Sequence, residues 1–266
     1  MKLKLLATTV ILAGICLSVR AGTDMASSPP PDAKEMKGMN TLEPTDAGFY
    51  VAAAGGAQFS TDYGDNRQSV SNAVGTFGTG AEIHSNWGGV GGVKVGYKFN
   101  SFPLCNYMSL RLQPAVEAEA LYIGDDSHAS NLAGDGSYEH FTTNSGDFFL
   151  NGLLRFKNSS MVTPYLGVGV GLQYFTTHGY ISLPAAGVTA TGLDTSDLDF
   201  AAQALCGFDV AVTQRISLFT EYKFIDALGT NAGTNSVSSA FGNGTYRFKP
   251  DEIEQNLITA GVKFGF

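Results

Sequence analysis

The chain has 266 residues, of which 44% are hydrophobic, 11% aromatic and only 15% charged; it carries 33 glycines and a formal charge of −8. About a quarter of residues are charged in an ordinary soluble domain, so this composition lies between soluble and membrane proteins and excludes a disordered chain. The acidic balance excludes nucleic acid as a partner.

Residues 1–21 place Lys2 and Lys4 ahead of an apolar run and end on Val19-Arg20-Ala21. This is the pattern of an export signal, and the run is too short for a membrane span. Cleavage is expected after Ala21; a lipoprotein site at Cys16 would need a small residue where Ile15 stands. Loss of Lys2, Lys4 and Arg20 removes three cations and no acid, which takes −8 to −11. Cys105 and Cys206 then lie in a compartment that permits disulfides, and their pairing stays open. Residues 22–46, with Pro29, Pro30 and Pro31 in succession, read as a flexible periplasmic linker, and 47–266 as the folded domain.

From there the chain alternates apolar with small or polar side chains in eight segments, near 48–60, 87–99, 107–123, 146–157, 163–176, 200–212, 215–226 and 255–266. Val93, Val95, Tyr97 and Phe99 alternate with Lys94 and Lys98; Leu110, Leu112, Val116, Ala118 and Tyr122 oppose Arg111, Gln113, Glu117 and Glu119. Phe148, Leu150, Leu154 and Phe156 oppose Asp147, Asn151 and Arg155, while Leu166, Val168, Val170, Leu172 and Tyr174 alternate with three glycines and Gln173. Phe208, Val210 and Val212 oppose Gln203 and Asp209; Ile216, Leu218, Tyr222 and Phe224 oppose Glu221 and Lys223. In the last segment Ile258, Ala260, Val262, Phe264 and Phe266 oppose Thr259 and Lys263. Glycines in these strands are expected where strands bend or the interior is narrow, and Pro114 is expected to cause a bulge or kink.

Connections alternate in length. Those at Asn100 to Asn106, Asn158 to Val162 and Thr213-Gln214 are short, whereas 61–86, 124–145, 177–199 and 227–254 are long and rich in Gly, Ser, Asn, Thr and Asp.

Bulky aliphatic and aromatic side chains cannot all fit inside eight closed strands, whose interior only just holds side chains. The apolar face therefore points outward and requires lipid, where a closed sheet satisfies every backbone polar group. Ten residues tilted about 40° cover roughly 25 Å, the height of the apolar band of such barrels. The expected fold is all-β: a closed antiparallel up-and-down transmembrane barrel of eight strands, with short periplasmic turns and four long extracellular loops.

The signal, the eight alternating segments and the closing L-I-T-A-G-V-K-F-G-F resemble small bacterial outer-membrane barrels of the opacity-protein, OmpX and OmpA-transmembrane-domain type, over about residues 47–266. The resemblance implies an outer-membrane location and an assembly signal on Ile258, Ala260, Val262, Phe264 and Phe266, read by the barrel assembly machinery. Lipid and lipopolysaccharide are the other expected partners, along with an extracellular ligand of the loops.

Parity puts Lys94, Arg111, Arg155, Lys223 and Lys263 inside with Glu117, Glu119, Asp147, Asp209 and Glu221. Matched charges in a narrow lumen read as a salt-bridged plug, because an unpaired buried ion is costly. His84, His128, His140 and His178 fall in loops with no strand serine beside them, so no catalytic residue is assigned. The loop acids, including Asp62, Asp125, Asp126, Asp194, Asp197 and Asp199, lack calcium-loop spacing, so no metal site and no cofactor are expected. Trp87, Tyr50, Tyr97, Tyr107, Tyr122, Tyr165 and Tyr174 are expected at the lipid-water boundary. The resulting functional expectation is a non-enzymatic surface barrel with a structural or attachment role. A narrow ion channel and a lipid A-modifying enzyme are the alternatives.

Overall fold

The computed structural model of the chain describes residues 47–62, 67–71, 73, 75–80, 84–85, 87–105, 110–130, 138–183, 188–227, 233–239, 242–249 and 253–266. The expected signal, 1–21, and linker, 22–46, lie outside them, as does Tyr107. In chain order the strands are β1 (Gly48–Asp62), β2 (Arg67–Ser71), β3 (Thr76–Gly80), β4 (His84–Ser85), β5 (Gly88–Lys98), β6 (Phe102–Cys105) and β7 (Leu110–Ser130). They continue as β8 (Tyr138–Lys157), β9 (Val162–Leu183), β10 (Val188–Ala211), β11 (Ile216–Ala227), β12 (Gly233–Ser239), β13 (Gly242–Lys249) and β14 (Ile253–Gly265).

The eight alternating segments become β1, β5, β7, β8, β9, β10, β11 and β14, each paired antiparallel with the next. β14 then pairs back onto β1, from Tyr50↔Gly265 to Asp62↔Glu254, so the ring closes without an edge. The Phe266 amide donates to the Phe49 carbonyl at 3.0 Å beyond the last ladder pair. One bulge, between Gln58 and Ser60, interrupts that seam.

Side-chain parity decides which face meets lipid. Val168 is 68% exposed and Phe148 64%, whereas the alternating Lys223 is 0% exposed. The outside is an apolar wall and the inside a polar filling, which only a membrane makes favourable.

Two of the short connections, at 158–162 and 213–216, are tight turns held by their own side chains, whereas the one after β5 carries the short strand β6, paired with β7. Asn158 Oδ1 accepts from the Ser160 amide at 2.8 Å, and Thr213 Oγ1 from the Ile216 amide at 2.9 Å.

Three expectations need correction. The spans 124–145 and 177–199 are mostly paired strand: β7 and β8 stay in register up to Ser130↔Tyr138, and β9 and β10 up to Ile181↔Thr191, beyond which the register shifts before a last pair, Leu183↔Val188. Residues 61–86 and 227–254 also hold strands, and four of them form a second sheet in the order β12-β13-β2-β3. Threonine, rich in these spans, favours the pleated backbone and pairs across strands, as the 3.3 Å contact of Thr143 Oγ1 with Thr177 Oγ1 illustrates. Third, Pro114 causes no bulge. β7 and β8 run through Pro114↔Leu154 without a shift, and β5 ends its ladder one pair earlier, at Lys98↔Ala115. The Pro114 carbonyl still accepts from the Phe99 amide at 2.9 Å, so the missing N–H falls where pairing with β5 stops.

Candidate functional site

The lumen is where the sequence places its buried charge. Lys94 on β5 meets Glu117 at 3.1 Å and Glu119 at 3.3 Å, both from the neighbouring β7, and reaches across the barrel to Glu221 on β11 at 2.5 Å. Lys223, two residues beyond Glu221, pairs with Glu119 and, at 3.2 Å, with Glu221. Toward the periplasmic end Asp209 on β10 takes both Arg155, at 2.5 Å, and Lys263, at 2.9 Å. Four cations therefore meet four carboxylates, all almost fully buried.

Neutral side chains complete this network. Tyr50 donates to Glu117 at 2.9 Å and Tyr165 to Glu221 at 2.8 Å. Asn151 donates to Glu119 at 3.1 Å, Gln203 donates to the same carboxylate at 3.1 Å, and Arg155 Nε donates to Gln113 at 3.2 Å. The Lys263 ammonium lies 4.8 Å from the Tyr50 ring centre and 5.2 Å from that of Phe219, a ring that Lys94 also faces at 5.2 Å.

Two residues depart from the sequence-based set. Arg111 is exposed at the periplasmic mouth, where it donates to Ser101 Oγ at 2.7 Å and to the Ser101 carbonyl at 2.9 Å. It sits where β7 begins and the barrel opens to water. Asp147 is buried inside, apart from the ion pairs, and accepts from Gln173 at 3.3 Å.

Tyr50 and Tyr165 also contradict their expected place at the lipid boundary: both are buried in the lumen. Their position near strand ends suggested the boundary, but counting by twos from inward Gln58 to Tyr50, and from inward Gln173 to Tyr165, turns both rings inside. Small partners make room for them. A Cβ on Gly96 would stand 2.4 Å from Tyr50 Cζ, and one on Gly207 2.9 Å from the Tyr165 hydroxyl. Several strand glycines thus mark where a large inward neighbour crosses, which refines the expectation of a narrow interior. Phe149, Phe219, Leu121, Ile225 and Leu257 also point inward, a filling that the polar parity of the sequence did not suggest.

Trp87, Tyr122 and Tyr174 are exposed on the outer wall, and Tyr97 packs edge-on against Phe49 and Phe99, with ring centres 4.8 and 5.1 Å away. Ile258, Ala260, Val262, Phe264 and Phe266 all face lipid, with Thr259 and Lys263 inside. The strand register sets His84 opposite His128 and His128 opposite His140, across β4, β7 and β8. The His140 ring stacks on Tyr180, and His178 Nδ1 lies 2.8 Å from Asp194.

No family model matches the sequence. Outer membrane protein PagN of Salmonella typhimurium is 27% identical over 199 residues, which is 72% of this chain and 77% of that protein. Among solved structures, Neisserial surface protein A shares 19% identity at a TM-score of 0.39, over 83% of this chain and 99% of its own. OprG of Pseudomonas aeruginosa shares 13% at a TM-score of 0.49, over 85% and 98%. With its closed ring of eight strands, apolar outer wall and likeness to an outer-membrane protein, the chain is a small eight-stranded β-barrel of the bacterial outer membrane.

Proposed function

We propose that this barrel is a non-enzymatic, non-conducting surface protein that raises an ordered β-rim for attachment outside the cell. The observation that carries the reading is strand length. β7, β8, β9 and β10 have 21, 20, 22 and 24 residues, where about 9–11 suffice to cross a bilayer. Their outer halves continue as paired hairpins, a rigid platform on which a binding surface can be held. The filled lumen supports the absence of a conducting path, since its four cations and four carboxylates lock to one another. Lipopolysaccharide surrounds the wall in this reading, and the barrel assembly machinery reads Ile258, Ala260, Val262, Phe264 and Phe266.

Joining β7 to β8 just above Asp125↔Thr143, and β9 to β10 just above Thr177↔Thr195, with two-residue turns removes the rim and leaves the barrel. Bacteria displaying the full protein should adhere to host cells or matrix, and those displaying the trimmed one should adhere no better than non-expressing cells. Equal adhesion by both would defeat the attachment reading. Steady conductance in planar bilayers would favour the channel instead, and altered lipid A in expressing cells the enzyme.

A further inference from the structure

Near the outer end of the lumen the register sets Asp147 on β8 opposite Gln173 on β9, and Gln173 opposite Asp199 on β10. Three successive strands thus bring three oxygen-bearing side chains to one level, all facing inward. Asp147 and Gln173 are 0% exposed and Asp199 is 3%. The Gln173 amide nitrogen donates to Gln255 Oε1 at 2.7 Å and to Asp147 Oδ2 at 3.3 Å, and lies 3.4 Å from Ser145 Oγ. What this row leaves without a hydrogen-bond partner is oxygen only: Asp147 Oδ1, Gln173 Oε1 and Asp199 Oδ2. Among the described residues neither carboxylate has a lysine or arginine in ion-pair contact, although every carboxylate of the Lys94 and Asp209 clusters has one.

A buried acceptor without a donor is costly, and a buried carboxylate without a counter-charge more so. Several orphan oxygens and no orphan donor are the chemistry of a hard cation. Ca²⁺ takes six to eight oxygens from carboxylates, amide carbonyls and water in adaptable geometry, whereas Zn²⁺, Cu²⁺ and Ni²⁺ favour nitrogen or sulfur ligands, which the row does not offer. Two carboxylates also match its charge. We propose that Asp147, Gln173 and Asp199 hold a Ca²⁺ ion, with water completing its shell. Phe149 and Ala201, the next inward residues on the periplasmic side of Asp147 and Asp199, belong to an apolar cluster with Leu121, Ile225 and Leu257, so the ion enters from outside. Bound there, it ties β8, β9 and β10 together at the foot of the tall hairpins. The inference is independent of what the rim attaches to.

The test uses the full barrel folded in detergent and stripped with a chelator, with Tb³⁺ luminescence and its displacement by Ca²⁺ as the readout. One Ca²⁺ per barrel is expected, with a dissociation constant of about 10⁻⁴–10⁻³ M, the range of extracellular calcium modules. Thermal unfolding should shift upward by several degrees at saturating Ca²⁺. The Asp147→Asn/Asp199→Asn variant should bind about tenfold more weakly or not at all and lose that shift. Its fold is checked by heat-modifiable migration in gels, and Asp199→Asn alone serves if the pair fails to fold. Absence of saturable binding, or equal binding by the folded variant, overturns the proposal, because the row is then satisfied by water alone.

Discussion

In the periplasmic half of the lumen Asp209 sits between Arg155 and Lys263, whereas near the outer end Asp147 and Asp199 flank a glutamine, with no cation among the described residues in contact. The same barrel wall, the same parity and almost equal burial produce opposite electrostatic outcomes. In the inner half, paired charges act as a plug whose parts depend on one another, since a buried ion pair is costly to break once made. In the outer half, no lysine or arginine among the described residues makes an ion pair with either carboxylate. The difference teaches that burial alone does not tell structural charge from receptive charge; the inventory of partners does.

The sharpest way to break the contrast is to remove the shared carboxylate of the inner half. Asp209→Asn leaves both Arg155 and Lys263 buried without the carboxylate that each contacts. A loss of about 3–5 kcal/mol in urea unfolding from lipid vesicles is expected, as for other buried pairs stripped of one partner. A loss below 1 kcal/mol would mean that water reaches these cations and that the plug is not closed.

A smaller effect is expected from packing beside the same network. Gly96→Ala places a methyl 2.4 Å from Tyr50 Cζ and 2.5 Å from its hydroxyl, so the ring must leave Glu117. Overpacking of this kind costs about 1–3 kcal/mol. In a Tyr50→Ala background the same change should cost far less, and additivity of the two would show that they do not touch.

These sites differ in how far the sequence exposes them. The eight spanning segments are legible because lipid enforces strict alternation: Val168, Val170 and Leu172 outside, Gly169, Gly171 and Gln173 inside. Membership of the inner charge cluster is legible for the same reason, down to Lys94, Glu117 and Lys263, and it fails at Arg111 because parity says nothing about where the barrel opens to water. Tyr50, Tyr165 and Phe219 escape notice since an aromatic in a membrane strand suits either face, and only the glycine across the strand reveals the inward choice. The outer strands of β8 and β9 look like loop because Thr142, Thr143, Thr176 and Thr177 alternate by pairing and not by hydropathy. Asp147 reads like any other inward acid, and only three dimensions show that no described lysine or arginine makes an ion pair with it.

On the lipid side, Phe266 tests the seam between β1 and β14 without touching lumen charge. Phe266→Ala keeps the backbone bond to Phe49 and gives up ring contact with lipid and with Phe264, whose ring centre is 5.2 Å away. Folding from urea into vesicles should lose about 1–2 kcal/mol. The fraction assembled in cells should fall several-fold more than that loss explains if the closing strand is also an assembly signal; a proportionate fall would reduce Phe266 to a lipid contact.

The smallest change carries the most information about the outer half. Without calcium, Asp147→Asn replaces a buried carboxylate with no ion-pair partner among the described residues by a neutral amide of the same shape, so stability should stay level or rise by up to about 1 kcal/mol. This is opposite in sign to Asp209→Asn, although both exchange a buried aspartate for asparagine on a lumen wall. With saturating calcium the native protein should become more stable than Asp147→Asn, because it gains more binding free energy. If Asp147→Asn without calcium cost as much as Asp209→Asn, Asp147 would already have its counter-charge, and the two halves of the lumen would obey one rule.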